Sequence, residues 1–120
     1  MEEDKLNIDE TVLSVDLSEA TEAVKEARFE DALNLLSIVL KDHPDNIDVL
    51  YLAAVSARYL KKFDESKKYI EHLLFNAPDM GRAYQELGHL NRDMGDEEKA
   101  VVHYRQACEL NPALLAAWNS

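Results

Sequence analysis

Residues 84–112 read YQELGHLNRDMGDEEKAVVHYRQACELNP and hold the clearest structural pattern in the chain. Gly95-Asp96 interrupts a run of helix-forming residues and Asn111-Pro112 ends it, which predicts two short helices joined by a tight turn. Large and small side chains recur at helical spacing on one stripe of each helix: Tyr84, Leu87, Gly88, Ala100, Tyr104 and Ala107. Because small residues let two backbones approach and large ones fill the space between them, the two stripes should pack together.

This pattern resembles the tetratricopeptide repeat family, whose sequence runs W-x2-L-G-x2-Y, then A-x3-F, then P over a repeat of about 34 residues. Two positions depart from it, since Tyr84 replaces the tryptophan and Asn91 stands in place of the tyrosine. The resemblance implies an all-α fold, a right-handed superhelix of antiparallel helix pairs. It also implies a noncatalytic role, in which the first helix of each pair lines a concave groove that receives peptide segments.

A helix-stopping proline recurs at one constant interval, at Pro44, Pro78 and Pro112. This interval, the repeat period, equals the repeat length of the resembled family. It defines three helix pairs, and Trp118, one period after Tyr84, falls where a fourth unit or a capping helix would begin. Three stacked pairs are about the smallest number that buries a shared core, so one domain is expected.

The predicted divisions of the chain follow from the repeat period. An acidic flexible segment is expected at 1–10 and a single repeat domain at 11–120. Within the domain the repeats lie at about 13–46, 47–80 and 81–114, with a C-terminal helix stub at 115–120.

Helical periodicity predicts six helices within these repeats, at about 13–27, 29–42, 47–60, 64–76, 79–94 and 96–111. Nothing alternates with a period of two for long enough to predict a strand. A side-chain oxygen of Asp45 or Asn46 can cap the third helix by accepting a first-turn N–H group. Gly88 lies in the middle of the fifth helix, where glycine costs about 1 kcal/mol relative to alanine, so we expect a close helix contact there.

The chain is strongly acidic, with a net charge of −11 over 120 residues. Residues 1–22 carry eight of the acids against a single lysine, so −7 of the net charge falls there and −4 in the rest of the chain. Binding to nucleic acid or to an anionic membrane needs concentrated Lys and Arg, and we therefore expect neither as a partner. The sequence also contains no apolar run long enough to cross a membrane and no export signal. Its single cysteine, Cys108, rules out an internal disulfide framework, and a cytoplasmic location is expected.

No combination of residues predicts catalysis, a cofactor or a metal. The four histidines lie at different helix positions, and none falls in a spacing typical of zinc ligands. The three glycines, Gly81, Gly88 and Gly95, are too dispersed to form a phosphate-binding loop. We therefore expect a protein that is not an enzyme, and its function should come from the shape and side chains of a surface.

The third and fifth helices carry the candidate groove residues, which are Tyr51, Leu52, Val55, Arg58, Tyr59, Arg82, Gln85, Glu86, His89 and Arg92. All ten are expected to face away from the packing sides of their helices, which include Leu50 and Ala53 in the third helix and Tyr84 and Met94 in the fifth. A solvent face is normally polar, so large apolar groups among the ten indicate binding. The alternative is that neighbouring helices cover Tyr51, Val55 and Tyr59.

Charge and apolar area together predict the ligand of this groove. Arg58, Arg82 and Arg92, with His89 between them, should form a cationic stripe able to pair with carboxylates. Tyr51 and Tyr59 offer flat apolar area of the kind that dominates binding energies. The preferred partner segment should therefore carry both an apolar side chain and an acidic group.

Three functions fit the sequence. The first is a protein-interaction module that binds a protein or peptide partner. The second is the N-terminal part of a larger enzyme, because residues 81–118 resemble the repeats that precede sulfotransferase domains in some bacterial proteins. The third is a self-assembly scaffold, in which an apolar C-terminal face of Leu114, Leu115 and Trp118 packs against another copy. A role as a co-chaperone is disfavoured, since only Arg82 agrees with the five positions of the clamp that binds chaperone C-termini.

Overall fold

The structure is a computed structural model that describes residues 17–113, and within them the chain forms six helices and no strand. The helices are α1 over 17–25, α2 Phe29–Asp42, α3 Ile47–Tyr59, α4 Phe63–Asn76, α5 Gly81–Asp93 and α6 Glu97–Leu110. The all-α prediction is confirmed, and the described helix ends lie within two residues of the predicted ones. The predicted beginning of the first helix at 13, the segment at 1–10 and the stub at 115–120 lie outside the described residues.

Helix α3 is the centre of the molecule, because it packs against α2, α4 and α5. On one side its residues Val49, Ala53 and Ala57 join a core cluster with buried residues of α1 and α2. On the other side Leu50 packs with Leu73 of α4 and Ala83 of α5, while Ala54 packs with Ile70 and Leu90. A helix that is apolar over most of its sides is expected at such a position, since its middle is covered and its exposed large apolar side chains, Ile47 and Tyr59, lie at its two ends.

Local sequence explains where the helices begin and end. The side chain of Asn46 accepts a hydrogen bond from the Val49 N–H at 3.1 Å, and Asp96 accepts one from the Lys99 N–H at 3.1 Å. Each cap satisfies one of the first-turn donors that a helix leaves unpaired, as predicted for the third helix. The second helices α2, α4 and α6 each end two residues before a proline, which removes a donor and disfavours helical geometry in the residue before it.

The three first helices end in the same left-handed turn. Ala27, Lys61 and Gly95 have φ of 61°, 63° and 87°, and they are spaced one repeat period apart. In each turn the N–H of this residue donates three residues back and the following N–H donates five residues back, for example Lys61 to Arg58 and Lys62 to Ala57. This is the Schellman arrangement of helix ends, and glycine is the residue that adopts it without steric cost.

Lys61→Gly is therefore expected to raise the free energy of unfolding by about 0.5–1 kcal/mol, because it relieves left-handed strain at an exposed side chain. Gly95→Ala should lower it by about 1 kcal/mol. An added Cβ at Gly95 meets no atom within 4 Å, so conformational strain alone contributes. Urea unfolding measures both changes. As a control, Lys67→Gly in the exposed middle of α4 should lower the free energy of unfolding by about 1 kcal/mol. A similar loss of stability in Lys61→Gly would contradict the strain argument.

Gly88 forms the predicted close helix contact, between α5 and α6. A Cβ built on Gly88 would lie 2.7 Å from both Cδ1 and Cε1 of Tyr104, closer than real Cβ atoms come to such neighbours. In the preceding repeat the equivalent residues are Ala54 and Ile70, which pack in one cluster. The absent side chain at Gly88 thus provides the room that the larger Tyr104 needs.

One predicted packing residue is misplaced. Met94 is predicted to lie in the core with Tyr84, but its side chain is 53% exposed. It follows the last residue of α5, and its own N–H donates back to Leu90 and Arg92 as part of the turn. Met94 has the spacing of a packing residue, but α5 ends before it. The prediction for this residue is therefore wrong.

Candidate protein-binding surface

Helices α1, α3 and α5 are the first helices of consecutive pairs, and α3 contacts α5 directly. Eight of the ten predicted groove residues form four pairs that are related by the repeat period. The pairs are Tyr51 with Gln85, Leu52 with Glu86, Val55 with His89, and Arg58 with Arg92. Since equivalent residues occupy the same side of equivalent helices, these residues belong to one surface that runs across α3 and α5.

A buried ion pair joins the two helices on this surface. Arg58 of α3 donates from Nε to Glu86 Oε2 at 2.5 Å and from Nη2 to Glu86 Oε1 at 3.2 Å. The side chains are only 6% and 2% exposed. This two-pronged arrangement gives both a fixed geometry and a stronger interaction than a single neutral hydrogen bond.

Further contacts extend the pair in both directions. Arg58 Nη1 donates to Asp93 Oδ2 at 2.9 Å, and Arg92 Nη2 lies 3.2 Å from Asp93 Oδ1. On its other side the Arg58 guanidinium lies 4.5 Å from the centre of the Tyr59 ring. That ring stacks on Phe29 with a centroid distance of 4.4 Å and an interplanar angle of 3°. A continuous set of contacts therefore links α2, α3 and α5.

The protonation of the pair follows from this environment. Burial opposes the positive charge of Arg58, but its hydrogen bonds with Glu86 and the attraction of that carboxylate outweigh burial and raise the pKa of Arg58. Burial raises the pKa of Glu86, and Arg58 opposes that rise. At Asp93, whose side chain is less buried, the bonds from Arg58 and Arg92 overcome desolvation and lower the pKa. The two arginines and two carboxylates are thus electrically balanced.

The outward placement predicted for Arg58, Glu86 and Val55 is wrong. Arg58 and Glu86 neutralise each other within the protein, and Val55 is 9% exposed. The reason is that α3 is enclosed by three helices, so its far side also meets a neighbour. Helical spacing alone distinguishes two sides of a helix and gives no sign that both are covered.

The other seven candidates remain at or near the surface. Tyr51, Leu52, Gln85 and His89 are half-buried, while Tyr59, Arg82 and Arg92 are exposed. Within residues 17–113 Arg82 has no ion pair, whereas Arg92 is held by Asp93. The predicted cationic stripe is therefore reduced, and its unpaired positive charge lies at Arg82, in the first turn of α5. Whether these seven residues bind a partner stays a prediction.

His89 connects this surface to the α5–α6 contact. Its Nδ1 lies 2.6 Å from the hydroxyl oxygen of Tyr104, and the two rings meet edge to face at 5.3 Å. Burial and the nearby charges of Arg58 and Arg92 lower the pKa of His89 to about 4. The imidazole is therefore neutral at pH 7 and adds no positive charge to the surface.

His89 should make the stability of the protein depend on pH. Its folded pKa of about 4 lies below the ordinary 6.5, so the unfolded chain takes up the proton first as the pH falls. The stabilisation is complete above pH 6.5 and is lost as the pH falls towards 4. Thermal unfolding of the parent and His89→Gln between pH 7 and 4 should show the larger decline in the parent. Parallel declines would mean that His89 protonates equally well in the folded protein.

Two further kinds of feature are absent from the described part of the chain. Between residues 17 and 113, no group of three or more histidine, cysteine or acidic side chains is arranged to hold a metal ion. No helix in the same range has the length and apolar character needed to cross a membrane. Cys108 is half-buried and unpaired to any other cysteine, being the single cysteine of the chain.

Two contributors to this surface are not predicted from the sequence. Neither Asp93, the last residue of α5, nor Phe29, the first residue of α2, is among the ten candidates. A usable signal is the composition of α3, in which Arg58 is the single charge after Asp48. A lone arginine in an otherwise apolar and enclosed helix needs a carboxylate partner, since an unpaired buried charge is very unfavourable.

Comparison with known proteins agrees with this architecture. Residues 81–114 match the tetratricopeptide repeat family. The structure of MamA from MSR-1 superposes with a TM-score of 0.74 at 25% identity, covering 83% of this chain and 57% of that one. The first tetratricopeptide repeat domain of human RPAP3 gives a TM-score of 0.75 at 19% identity, covering 82% and 77%. MamA 41-end from Desulfovibrio magneticus RS-1 gives 0.74 at 18% identity, covering 82% and 55%.

These likenesses concern the fold of the repeats. The chain spans 57% of the length of the MSR-1 protein. The helix pairs and their stacking are shared with the solved structures, and stacked repeats of this kind present extended concave surfaces for binding. The resemblance of residues 81–118 to repeats that precede sulfotransferase domains stays a prediction.

Proposed function

We propose, from the premise that this chain is a tetratricopeptide repeat protein, that it is a noncatalytic interaction module that binds a segment of a partner protein. The binding surface is the groove lined by α1, α3 and α5, which we call the first-helix groove. The partner segment carries an apolar side chain and a carboxylate. The observation that carries this proposal is the juxtaposition of half-buried aromatic and apolar side chains on α3 with the unpaired Arg82 on α5.

The electrostatic environment of Tyr51 supports this juxtaposition. Burial raises the pKa of Tyr51, the charge of Glu86 raises it further, and the charge of Arg82 opposes the rise. Tyr51 on α3 is therefore close enough to the first turn of α5 to respond to charges there. Beside it, Leu52 is half-buried against the core formed with α1 and α2. The apolar side chains of Tyr51 and Leu52 and the guanidinium of Arg82 can therefore be contacted together by one short peptide.

The charge distribution favours an acidic group near the beginning of α5. The Arg58, Glu86, Arg92 and Asp93 side chains balance one another, so they offer no net charge to a ligand. The first turn of α5 contains no acidic residue, in contrast to those of the other helices from α2 onwards. The positive end of the α5 dipole therefore adds to Arg82 rather than being cancelled. A carboxylate is therefore better accommodated at the first turn of α5 than at that of α3, which carries Asp48.

The test uses a displayed library of random peptides selected on the full chain, followed by calorimetry on the recovered sequences. Selected peptides should combine an acidic residue with an aromatic or aliphatic one. Tyr51→Ala should weaken their binding by about tenfold or more, as expected for a buried aromatic anchor. Tyr59→Ala should speed release more than it slows association. Arg82→Ala should weaken binding most at low salt, because the lost contribution is screened at high salt.

Arg105→Ala is the matched control, since Arg105 is also exposed but lies on α6, a second helix. It removes the same charge from the protein without touching the first-helix groove. Its effect on affinity should be small at every salt concentration. Peptides whose affinity fell with Arg105→Ala and stayed constant with Tyr51→Ala and Arg82→Ala would place binding on a different surface.

A further inference from the structure

The most exposed large apolar side chain of residues 17–113 lies outside the first-helix groove. Phe75, in the last turn of α4, is 88% exposed, and Ile38 of α2 follows at 59%. By the repeat period Ile38 corresponds to His72, which lies one turn before Phe75 on the same side of α4. We call Ile38, His72 and Phe75 the outer patch. We propose that the outer patch binds a basic segment of a partner protein, in which Lys or Arg accompanies an apolar side chain.

The fold does not require an aromatic side chain at position 75. The equivalent positions in the other two second helices hold Lys41 in α2 and Glu109 in α6, and both are exposed. The position therefore faces solvent in all three helix pairs, and charged residues suit it. Leu74, the residue before Phe75, packs against the core, but the Phe75 ring does not. An apolar ring at a solvent position that is otherwise charged is therefore available to a partner.

Two hydrogen bonds give the outer patch a defined geometry. His72 Nε2 lies 2.7 Å from Oδ1 of Asp45, in the turn that follows α2, so the first helix pair is joined to α4 beside Phe75. Asn76 donates from Nδ2 to the backbone oxygen of His72 at 3.0 Å in the last turn of α4. Ile38 lies one turn before the end of α2, on the side that corresponds to His72. The apolar side chains of neighbouring second helices thus belong to one outer surface.

The charges around Phe75 are mainly negative. Glu71 lies one turn before it, Asp79 follows in the turn after α4, and Asp45 is held nearby by its contact with His72. The last turn of α4 contains no basic residue, so the negative end of its dipole is not offset there. Lys41 of α2 is the single cation at an equivalent position. A cationic ligand is therefore attracted to this end of α4.

The opposite end of α4 has the opposite charge. Four exposed lysines lie there: Lys61, Lys62, Lys67 and Lys68. The first turn of α4 sets only Asp64 and Glu65 against them. Lys68 is seven residues before Phe75, about 10 Å along the helix axis. A basic segment is therefore repelled from the beginning of α4 and attracted to its end, where the exposed ring lies.

The ring and the carboxylates together determine the chemistry of the ligand. A guanidinium or ammonium group can lie over the face of the Phe75 ring while it pairs with the carboxylate of Glu71. The protein already contains one such contact, in which Arg58 lies 4.5 Å from the centre of the Tyr59 ring. An apolar side chain next to the cation would cover Ile38. The same carboxylates repel nucleic acid and anionic lipid, so a protein segment is the partner that fits.

A subtractive selection on the full chain tests this inference. A displayed library of random peptides is selected on the parent and depleted on Phe75→Ser, which keeps the net charge. The remaining peptides should combine Lys or Arg with an apolar residue. In calorimetry Phe75→Ser should weaken their binding by about tenfold or more, as for a central aromatic anchor. Glu71→Gln should weaken it most at low salt, because salt screens the lost attraction.

Val102→Ser is the matched control for loss of apolar area. Val102 is 54% exposed on α6, also a second helix, but Lys99 and Arg105 lie one turn from it on either side. Its substitution should leave the affinity of the basic peptides unchanged. A loss as large as that of Phe75→Ser would overturn the assignment to the outer patch. The urea midpoint of Phe75→Ser should equal that of the parent, and a lower midpoint would show that the ring serves folding instead.

The outcomes separate this inference from the proposed function. Tyr51→Ala should weaken the acidic peptides of the first-helix groove and leave the basic peptides unaffected. Basic peptides that lost affinity with Tyr51→Ala and kept it with Phe75→Ser would overturn the outer patch, as would a depleted library without basic peptides. Neither result would remove the acidic peptides, on which the proposed function depends. The absence of acidic peptides would overturn the groove alone.

Discussion

Arg58→Met is expected to lower the free energy of unfolding by about 3–5 kcal/mol, because it leaves the carboxylate of Glu86 buried without its partner. The Glu86 side chain is 2% exposed, so water cannot replace the two lost hydrogen bonds without opening the α3–α5 contact. The double variant Arg58→Met with Glu86→Leu should recover most of the loss, since it removes both charges and fills the space with apolar groups. Denaturant unfolding of the parent, Arg58→Met, Glu86→Leu and the double variant measures the coupling as a double-mutant cycle.

The pH dependence of this loss identifies its cause. Burial already raises the pKa of Glu86 above its ordinary 4.5, and Arg58 opposes that rise, so removing Arg58 raises the pKa further. A carboxyl group whose folded pKa exceeds its unfolded one destabilises the protein above the folded pKa. The deficit of Arg58→Met should therefore shrink as the pH falls from 7 towards 4.5. The double variant lacks the carboxyl group and should show no such recovery. A deficit independent of pH would attribute the loss to packing alone.

Gly88→Leu is expected to lower the free energy of unfolding by about 1–3 kcal/mol through overpacking against the Tyr104 ring. Even a single Cβ at this position would lie 2.7 Å from the ring, so α5 and α6 must separate or Tyr104 must leave its position. Urea unfolding measures the loss. A urea midpoint equal to that of the parent would show that the Gly88–Tyr104 contact accommodates the leucine without loss of stability.

The preceding repeat suggests how to restore the fit. Its equivalent residues, Ala54 and Ile70, pack together without a glycine. In a Tyr104→Ile background, Gly88→Ala should raise stability by about 1 kcal/mol, the helix-propensity difference between the two residues. In the parent the same Gly88→Ala change should give no such gain, because the Tyr104 ring opposes it. An equal change in the free energy of unfolding in both backgrounds would show that the Tyr104 ring does not oppose a side chain at position 88.

The helices and the Gly88 contact could be predicted because their causes are local. Proline at a fixed interval, short polar caps and the spacing of small and large side chains all act within one or two helical turns. Gly88 needed only one further step, the assumption that a mid-helix glycine has a packing reason. Met94 shows the limit of this reasoning, since its spacing fits the helix but the chain has already turned.

The surface was less predictable because its contacts are distant in sequence. Arg58 and Glu86 are 28 residues apart, and Arg58 and Asp93 are 35 apart. Periodicity assigns Arg58 and Glu86 to outward positions of their own helices. It gives no information on whether a neighbouring repeat covers them. The composition of α3 contains a hint, but its interpretation requires knowing that three helices surround it. The partner and its binding residues stay predictions.

The buried Arg58–Glu86 pair also bears on how the array unfolds. In a linear array of repeats, each unit contacts only its neighbours, and cooperativity depends on the interface energies between them. Opening α5 and α6 alone would break the Arg58–Glu86 and Arg58–Asp93 hydrogen bonds together, so these contacts couple the third helix pair to the second. The second and third helix pairs should therefore open as one unit in native-state hydrogen exchange. The cooperative unfolding unit of this protein is then larger than its sequence repeat.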